Sequence, residues 1–231
     1  MARMPLLKRL KPTDREFILN QCTPFFAVRG TFIFTENEVA KKIFFIKKGK
    51  IRVHKQIDDG REITIFIRQE EDAFGEIGIF SGNTYSCSAR TEEDCEIYFM
   101  DKAHMEGLLV NNGAIALEFI RWAAESLEAS SSKLKDYLMY QSGGALASIL
   151  IRLVNMYGDQ IDDGYVIENV PTNYELAMHI GSTRETVNRF LNIWKSEGLI
   201  TAEHKSITIH DMEYLKELLG CNQCGVQNCV I

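Results

Sequence analysis

Residues Pro171-Thr-Asn-Tyr-Glu-Leu-Ala-Met-His-Ile-Gly-Ser-Thr-Arg-Glu-Thr-Val-Asn-Arg-Phe-Leu-Asn-Ile-Trp-Lys-Ser-Glu197 read as two short helices around a glycine turn. Thr172 and Glu175 have the spacing of a capping box, in which each side chain satisfies the other residue's backbone N–H. Gly181-Ser-Thr183 breaks the first helix, and Arg184 opens the second. Two short helices joined by a three-residue turn with glycine have the form of a helix-turn-helix. In the second helix Val187, Phe190, Leu191 and Trp194 fall on one face at helical spacing and point to a core. Glu185, Arg189, Asn192 and Ser196 face the other way, with Arg184 and Asn188 on the flanks. Two readings fit these polar residues. They either meet base edges in a major groove, which takes arginine, glutamate and amide side chains near the helix N-terminus, or form a solvated amphipathic face. Leu199-Ile-Thr, the polar turn Glu203-His-Lys205 and Ser206-Ile-Thr-Ile209 then make a hairpin where a winged helix carries its wing.

Upstream, an acidic loop is expected over Gly158 to Gly164, after a helix from Ala145 to about Tyr157 with Leu146, Ile149, Leu150 and Leu153 on one face. Gln141-Ser-Gly-Gly144 reads as a hinge. From about Ala114 to Tyr140 the chain has no proline or internal glycine, and Ile120, Leu127 and Leu134 recur every seven residues with Ala123 or Ala124 between. A heptad seam predicts a helix that pairs with its own copy, giving a homodimer. A helix packed on its own domain is the competing reading. The length of about 25 residues, against a mean of ~11–12, favours the dimer.

From about Gly30 to Met100 short β-type runs alternate with glycine turns: Ile43–Ile46, Ile51–His54, Ile63–Ile67, Ser86–Ala89 and Glu96–Met100, with Asp58-Asp-Gly60 as a hairpin turn. So many short strands with tight turns predict an antiparallel roll or barrel. The expected fold class is α+β. It comprises an N-terminal β-roll (1–113), a long dimerisation helix (114–142), a winged helix-turn-helix (143–219) and a cysteine tail (220–231).

Composition supports a globular chain: 231 residues, 45% apolar and 25% charged, which excludes wholesale disorder. The net charge of −6 argues against a protein that neutralises phosphates along its whole surface. Residues 143–231, the expected reading half, hold 6 basic and 11 acidic residues. That half is expected to bind non-specific DNA weakly and to depend on a few placed arginines and helix N-termini. The basic start, Met1 to Leu10, lacks the apolar stretch of a signal peptide, and no run of 18 apolar residues occurs. A cytoplasmic location without a membrane partner is therefore expected, where six cysteines read as thiols or metal ligands. Cys22, Cys87 and Cys95 are scattered and read as small core residues, held in reserve as candidate fourth ligands of a metal group. Cys221-Asn-Gln-Cys224-Gly-Val-Gln-Asn-Cys229 is C-x2-C-x4-C. Three thiolates so spaced can hold three corners of an iron–sulfur cube whose fourth iron is held from elsewhere. A zinc knot completed by His or Asp, a thiol redox switch and an unordered tail are the alternatives.

Two segments resemble the CRP/FNR superfamily of bacterial transcription regulators. Gly75-Glu-Ile-Gly-Ile-Phe80 is similar to the Gly-Glu-Leu-Gly-Leu-Phe segment of its cyclic-nucleotide-type roll, and Thr183-Arg-Glu-Thr-Val-Asn-Arg189 to its recognition helix. The resemblance implies a homodimer on double-stranded DNA, at a palindromic operator with TGTGA-like half-sites read by Arg184, Glu185 and Arg189. Asn188 stands where classical FNR has a base-contacting serine. The family's nucleotide site follows its roll segment with an Arg-Ser pair, and Asn83-Thr-Tyr-Ser86 lacks that arginine, which argues against cyclic-nucleotide sensing. Glu76 then reads as part of a roll kept for packing.

The C-terminal cysteine triplet looks like that of the FNR regulators of bacilli. This implies one oxygen-labile [4Fe-4S] cluster per subunit on Cys221, Cys224 and Cys229, with an aspartate of the dimer helix as fourth ligand. The matching residue is Asp136, about 200° around the helix from seam residue Leu134. By spacing alone Asp136 would read as a surface carboxylate beside Lys133 and Lys135. The implied activity is not enzymatic: an oxygen-responsive regulator, activating genes of anaerobic respiration through RNA polymerase. A zinc-stabilised constitutive DNA-binding protein and a regulator sensing a small effector in the roll are the rival readings.

Overall fold

The structure, a computed structural model, describes residues 4–57, 62–221 and 229–230. The turn expected at Asp58-Asp-Gly60 lies outside them. Two compact units, Met4–Ala124 and Glu125–Ile231, divide inside the long helix, between its two ends.

In the first unit α1 (Leu6–Arg9) and α2 (Pro12–Leu19) precede β1 (Thr23–Ala27), β2 (Phe32–Phe34), β3 (Lys42–Lys48), β4 (Ile51–Gln56), β5 (Glu62–Arg68) and β6 (Ala73–Phe74). Then follow α3 (Glu76–Ser81), β7 (Ser88–Thr91), β8 (Cys95–Asp101), α4 (Lys102–Asn111) and α5 (Gly113–Met139). The strands form two antiparallel sheets, β1-β8-β3-β6 and β2-β7-β4-β5. Between them Phe34 of β2 meets Phe44 of β3 and Phe74 of β6, with ring centroids 5.7 and 6.0 Å apart. This is the expected antiparallel roll, enlarged by β1, β2 and β6, which are too short or irregular to read from alternation.

Helix α5 divides its faces. Ile115, Phe119 and Trp122, at i, i+4 and i+7, join the core of the roll. On the opposite face Leu117, Ile120, Leu127, Leu134 and Leu138 are 47, 63, 68, 58 and 74% exposed. With Ala124 and Ser131 at the intervening positions they make the unbroken 3-4 spacing of a coiled-coil seam.

A buried carboxylate fixes the first half of α5. Asp72 Oδ1 accepts from the indole N–H of Trp122 at 2.7 Å and from the backbone N–H of Leu6 at 3.2 Å. Its Oδ2 lies 3.5 Å from the guanidinium of Arg68, which sits 4.2 Å above the Phe66 ring. Asp72 and Arg68 are both almost wholly buried.

The second unit continues with α6 (Gln141–Tyr157), β9 (Gly158–Ile161), β10 (Gly164–Ile167), α7 (Asn173–Ile180), α8 (Arg184–Ser196), β11 (Ile200–Glu203), β12 (Ser206–Ile209) and α9 (Met212–Glu217). The acidic stretch expected as a loop is instead the start of the hairpin β9–β10, which joins the wing in one sheet, β11-β12-β10-β9. Its glycines and aspartates give little strand signal, and the pairing with β12 supplies what propensity does not. Helix α6 is buried on every side from Gly144 to Val154, more than the single apolar face expected.

The helix break expected at Gln141–Gly144 falls at the start of that stretch. The chain breaks at Tyr140–Gln141, where Gln141 has φ 55°, and the glycine pair lies in the first turn of α6. A Cβ on Gly143 would come within 2.9 Å of the Phe190 ring of α8, and one on Gly144 within 2.1 Å of Tyr140 Cβ. These glycines serve close approach.

Asp72→Ala is expected to lose about 3–5 kcal/mol of stability, the cost of stripping one partner from a buried charge pair. Urea unfolding checks this, and a loss below ~1 kcal/mol would mean that the network contributes little.

Candidate functional site

The helix pair is built as its sequence dictates. Thr172 caps α7 with the full reciprocal capping box to Glu175. Gly181 follows at φ 61°, the left-handed conformation that ends the helix and permits the tight turn. Thr183 caps α8, its hydroxyl accepting from the backbone N–H of Thr186. Val187, Leu191 and Trp194 are buried and Phe190 half-buried, so the polar face is turned outward: Arg184, Glu185, Arg189 and Asn192 are exposed. The backbone amide of Glu185, the Thr183 hydroxyl and the neighbouring Arg184 hold the Glu185 carboxyl below its usual range. It is therefore poised as an ionised acceptor. Asn188 is half-buried, and its side-chain oxygen accepts from Asn173 of α7, tying the two helices together. Beside α8 an open groove of about 270 Å³ runs to the wing, lined by Lys195, His204 and Lys205 with Asn173 and Asn192. The arrangement suits a phosphate backbone next to a reading helix.

The cysteine tail meets the same unit at the α5–α6 pair. Asp136 of α5 is 8% exposed, so the surface-carboxylate reading fails for it. Its Oδ2 accepts from the Ser148 hydroxyl at 2.6 Å and from Arg152 at 3.0 Å. Arg152 is fully buried and also donates to Ser132 at 3.1 Å and to the carbonyl of Val230 at 2.8 Å. Asn155 donates to the carbonyl of Cys229, also at 2.8 Å. One guanidinium thus binds both the carboxylate expected as a ligand and the residue after the last tail cysteine. Nearby Lys133 is buried, which pushes its amine down to about 7, with Arg152 adding to the shift. Burial raises the Tyr137 phenol far above its usual range, and its hydroxyl donates to the carbonyl of His179.

Cys221 follows α9, and like Cys229 it is half-buried; Cys224 lies outside the described residues. Among the described residues no three His, Cys, Asp or Glu side chains gather as a metal site. The donor types an iron–sulfur group takes are present, as thiols at Cys221 and Cys229 and a buried carboxylate at Asp136 bonded through Arg152 to the carbonyl of Val230. Sequence reasoning misses Arg152, Ser148, Ser132 and Asn155. The available signal is an arginine inside the apolar run Ile149-Leu-Ile-Arg-Leu-Val154.

Aromatic rings line the interior of the roll, and an open pocket of about 370 Å³ lies beside Phe25, Phe34, Phe44, Tyr85 and Phe99. Tyr85, in the stretch where the family's nucleotide arginine is missing, stacks on Phe34 with centroids 3.7 Å apart. Its hydroxyl donates to the carbonyl of Lys42 at 2.8 Å. The cavity bounded by Tyr85, Arg68, Glu76 and Ser86 holds about 20 Å³, room for one water and far below a nucleotide. Glu76 lies 3.5 Å from Arg68, and Phe80 of the same short helix packs on Phe119 of α5 at 5.3 Å, in keeping with a structural role.

A β-roll, a long helix with an exposed heptad seam and a winged helix-turn-helix with an outward arginine face define a DNA-binding transcription regulator, not an enzyme. Residues 26–112 match the cyclic nucleotide-binding domain family, and residues 144–218 the Crp-like helix-turn-helix domain family. The chain belongs to the CRP/FNR superfamily of transcription regulators, whose members act on DNA as dimers. It is 36% identical over 205 residues to the anaerobic regulatory protein of Bacillus subtilis, covering 88% of this chain and 86% of that one. To a CRP-like cAMP-activated global transcriptional regulator of Mycobacterium tuberculosis it is 28% identical over 215 residues, 93% of this chain and 96% of the relative. In fold it is similar to a CooA variant from Carboxydothermus hydrogenoformans, with TM-score 0.81 at 21% identity over 94% of this chain and 96% of that one. No helix among the described residues is long and apolar enough to cross a membrane.

Burial pushes the thiol of Cys22 up to about 12 and raises those of Cys87 and Cys95 as well, so none is a ready thiolate. Iodoacetamide at pH 8 is therefore expected to spare these three in the folded chain and label them only in denaturant. Peptide mass spectrometry reads the pattern, and labelling of Cys87 or Cys95 at the rate of an exposed thiol would contradict it.

Proposed function

We propose that this chain is an oxygen-responsive regulator, an activator of genes of anaerobic metabolism, that reads a palindromic TGTGA-like operator as a homodimer paired along the α5 seam. The observation that carries the reading is the buried Arg152, which joins Asp136 to the tail next to Cys229. Cys221, Cys224, Cys229 and Asp136 would hold one [4Fe-4S] cluster per subunit, which when bound supplies sensitivity to oxygen. The chain's own residues then do the rest. Closing the tail thiols onto Asp136 stiffens the reading unit against the dimer helix, so that the two copies of α8 keep the ~34–36 Å spacing of successive major grooves. Arg184 and Arg189 pair with guanine edges and Glu185 accepts from cytosine, while Asn188 stays engaged with Asn173 and braces the reading helix. Kinship with an anaerobic regulatory protein supports the physiological assignment, and contact with RNA polymerase follows from activation.

Anaerobic purification tests the sensor. The expected protein is brown, carries iron and acid-labile sulfide, and loses both its colour and its operator binding in air. Colourless protein holding zinc would sink the oxygen-sensing reading in favour of a constitutive, zinc-stabilised one. Asp136→Ala is expected to shorten the cluster's lifetime in air.

A second test addresses the reading helix. Arg189→Ala is expected to cost about 1–3 kcal/mol of operator affinity and to relax discrimination at one guanine. Titration with the operator and with single-base variants measures both. A loss equal for all sequences would move Arg189 to the phosphate backbone.

A further inference from the structure

Two consecutive carbonyls of the tail are held by side chains one turn apart on α6. Arg152 donates to Val230 at 2.8 Å and Asn155 to Cys229 at 2.8 Å. Arg152 is itself fixed at every nitrogen. Its Nε donates to Ser148 at 3.1 Å, its Nη2 to Ser132 at 3.1 Å and to Asp136 at 3.0 Å, and its Nη1 to the tail. All these partners belong to the protein, and none of the bonds uses a thiol. Both donors to Asp136 reach the same oxygen, Oδ2, while Oδ1 takes no hydrogen bond among the described residues.

We infer that Arg152 and Asn155 form a latch that docks the end of the tail on α6 whether or not a metal group is bound. The latch regulates the site assigned above and, in that respect, rests on the cluster reading. With the group absent, Cys229 stays beside α6 and Asp136 keeps one oxygen in reserve. The ordering that ligand binding demands is thus already in place, and the site is prepared for reassembly rather than built anew. Loss of the group then leaves the end of the tail docked on α6. Arg152 is a positioning residue here: it sets the carboxylate and the tail backbone together, while the buried Ser132 and Ser148 hold its own plane.

The test uses the full metal-free chain under reductant-free anaerobic conditions, with iodoacetamide as the probe of each tail thiol. Asn155→Ala removes an exposed donor and leaves the buried network intact, so it is expected to fold normally. Cys229 should then be alkylated about fivefold faster, the factor equivalent to one hydrogen bond of ~1 kcal/mol, and Cys221 should keep its rate. Arg152→Lys, which keeps the charge but not the forked geometry, should act in the same direction. Unchanged labelling of Cys229 in Asn155→Ala overturns the latch, as does an equal acceleration of Cys221 and Cys229, which would report general loosening. Iron content is measured separately in the same variants. A chain that never binds iron yet shows the selective acceleration keeps the latch and loses only the cluster reading. Where iron does bind, slower anaerobic reconstitution in Asn155→Ala is the expected companion result.

Discussion

A carboxylate taken out of water needs donors around it, and α5 is held in each half by one that has them. In the roll unit Asp72 gathers the Trp122 indole, the Leu6 amide and Arg68. In the reading unit Asp136 gathers Ser148 and Arg152. Asp72 anchors the part of α5 that carries Trp122, and Asp136 lies in the part that packs on α6, each within its own unit. Neither carboxylate can be turned to water without stripping its donors, and the apolar stripe of Leu117, Ile120, Leu127, Leu134 and Leu138 is exposed.

The two interiors of the chain have gone opposite ways. In the roll, Phe34 stacks on Tyr85, and Phe44 on Phe74, so the interior is built of aromatic rings. The Tyr85 hydroxyl is tied to the backbone of Lys42 in both directions, as donor and as acceptor. In the reading unit, by contrast, polar groups have been drawn inward: Ser132, Lys133, Asp136, Ser148 and Arg152 are all buried around the point where the tail arrives. Burial of ionisable groups is costly, and here the cost is met by mutual hydrogen bonds among them.

The parts of this architecture legible in the sequence were those with local causes. The capping box at Thr172, the turn at Gly181, the apolar face of α8 and the heptads of α5 each rest on residues within a few positions of one another, and each forms as expected. The parts not legible depend on partners distant in the chain. Hairpin β9–β10 is made by pairing with β12. Gly143 and Gly144 look like a hinge because glycine is flexible in isolation; the Phe190 ring and Tyr140 turn them into contact points. Asp136 could be placed by resemblance, but its burial could not, because that burial depends on Arg152 sixteen residues on and on a tail more than ninety residues away. Asn188 was legible as a residue of the reading helix, but not as one engaged by Asn173.

Helix α6 has a further consequence. Gly143 touches the recognition helix near one end, and Arg152 grips the tail nine residues on, about 13.5 Å along the axis. Close-packed on all sides, the helix behaves as a strut between those two points. A tilt of about 10° about one end moves the other by roughly 2 Å, the amplitude at which packed helices shift in switching interfaces. A rearrangement no larger than one hydrogen bond at the tail thus has a mechanical route to the reading helix, with Phe190 as the point of delivery.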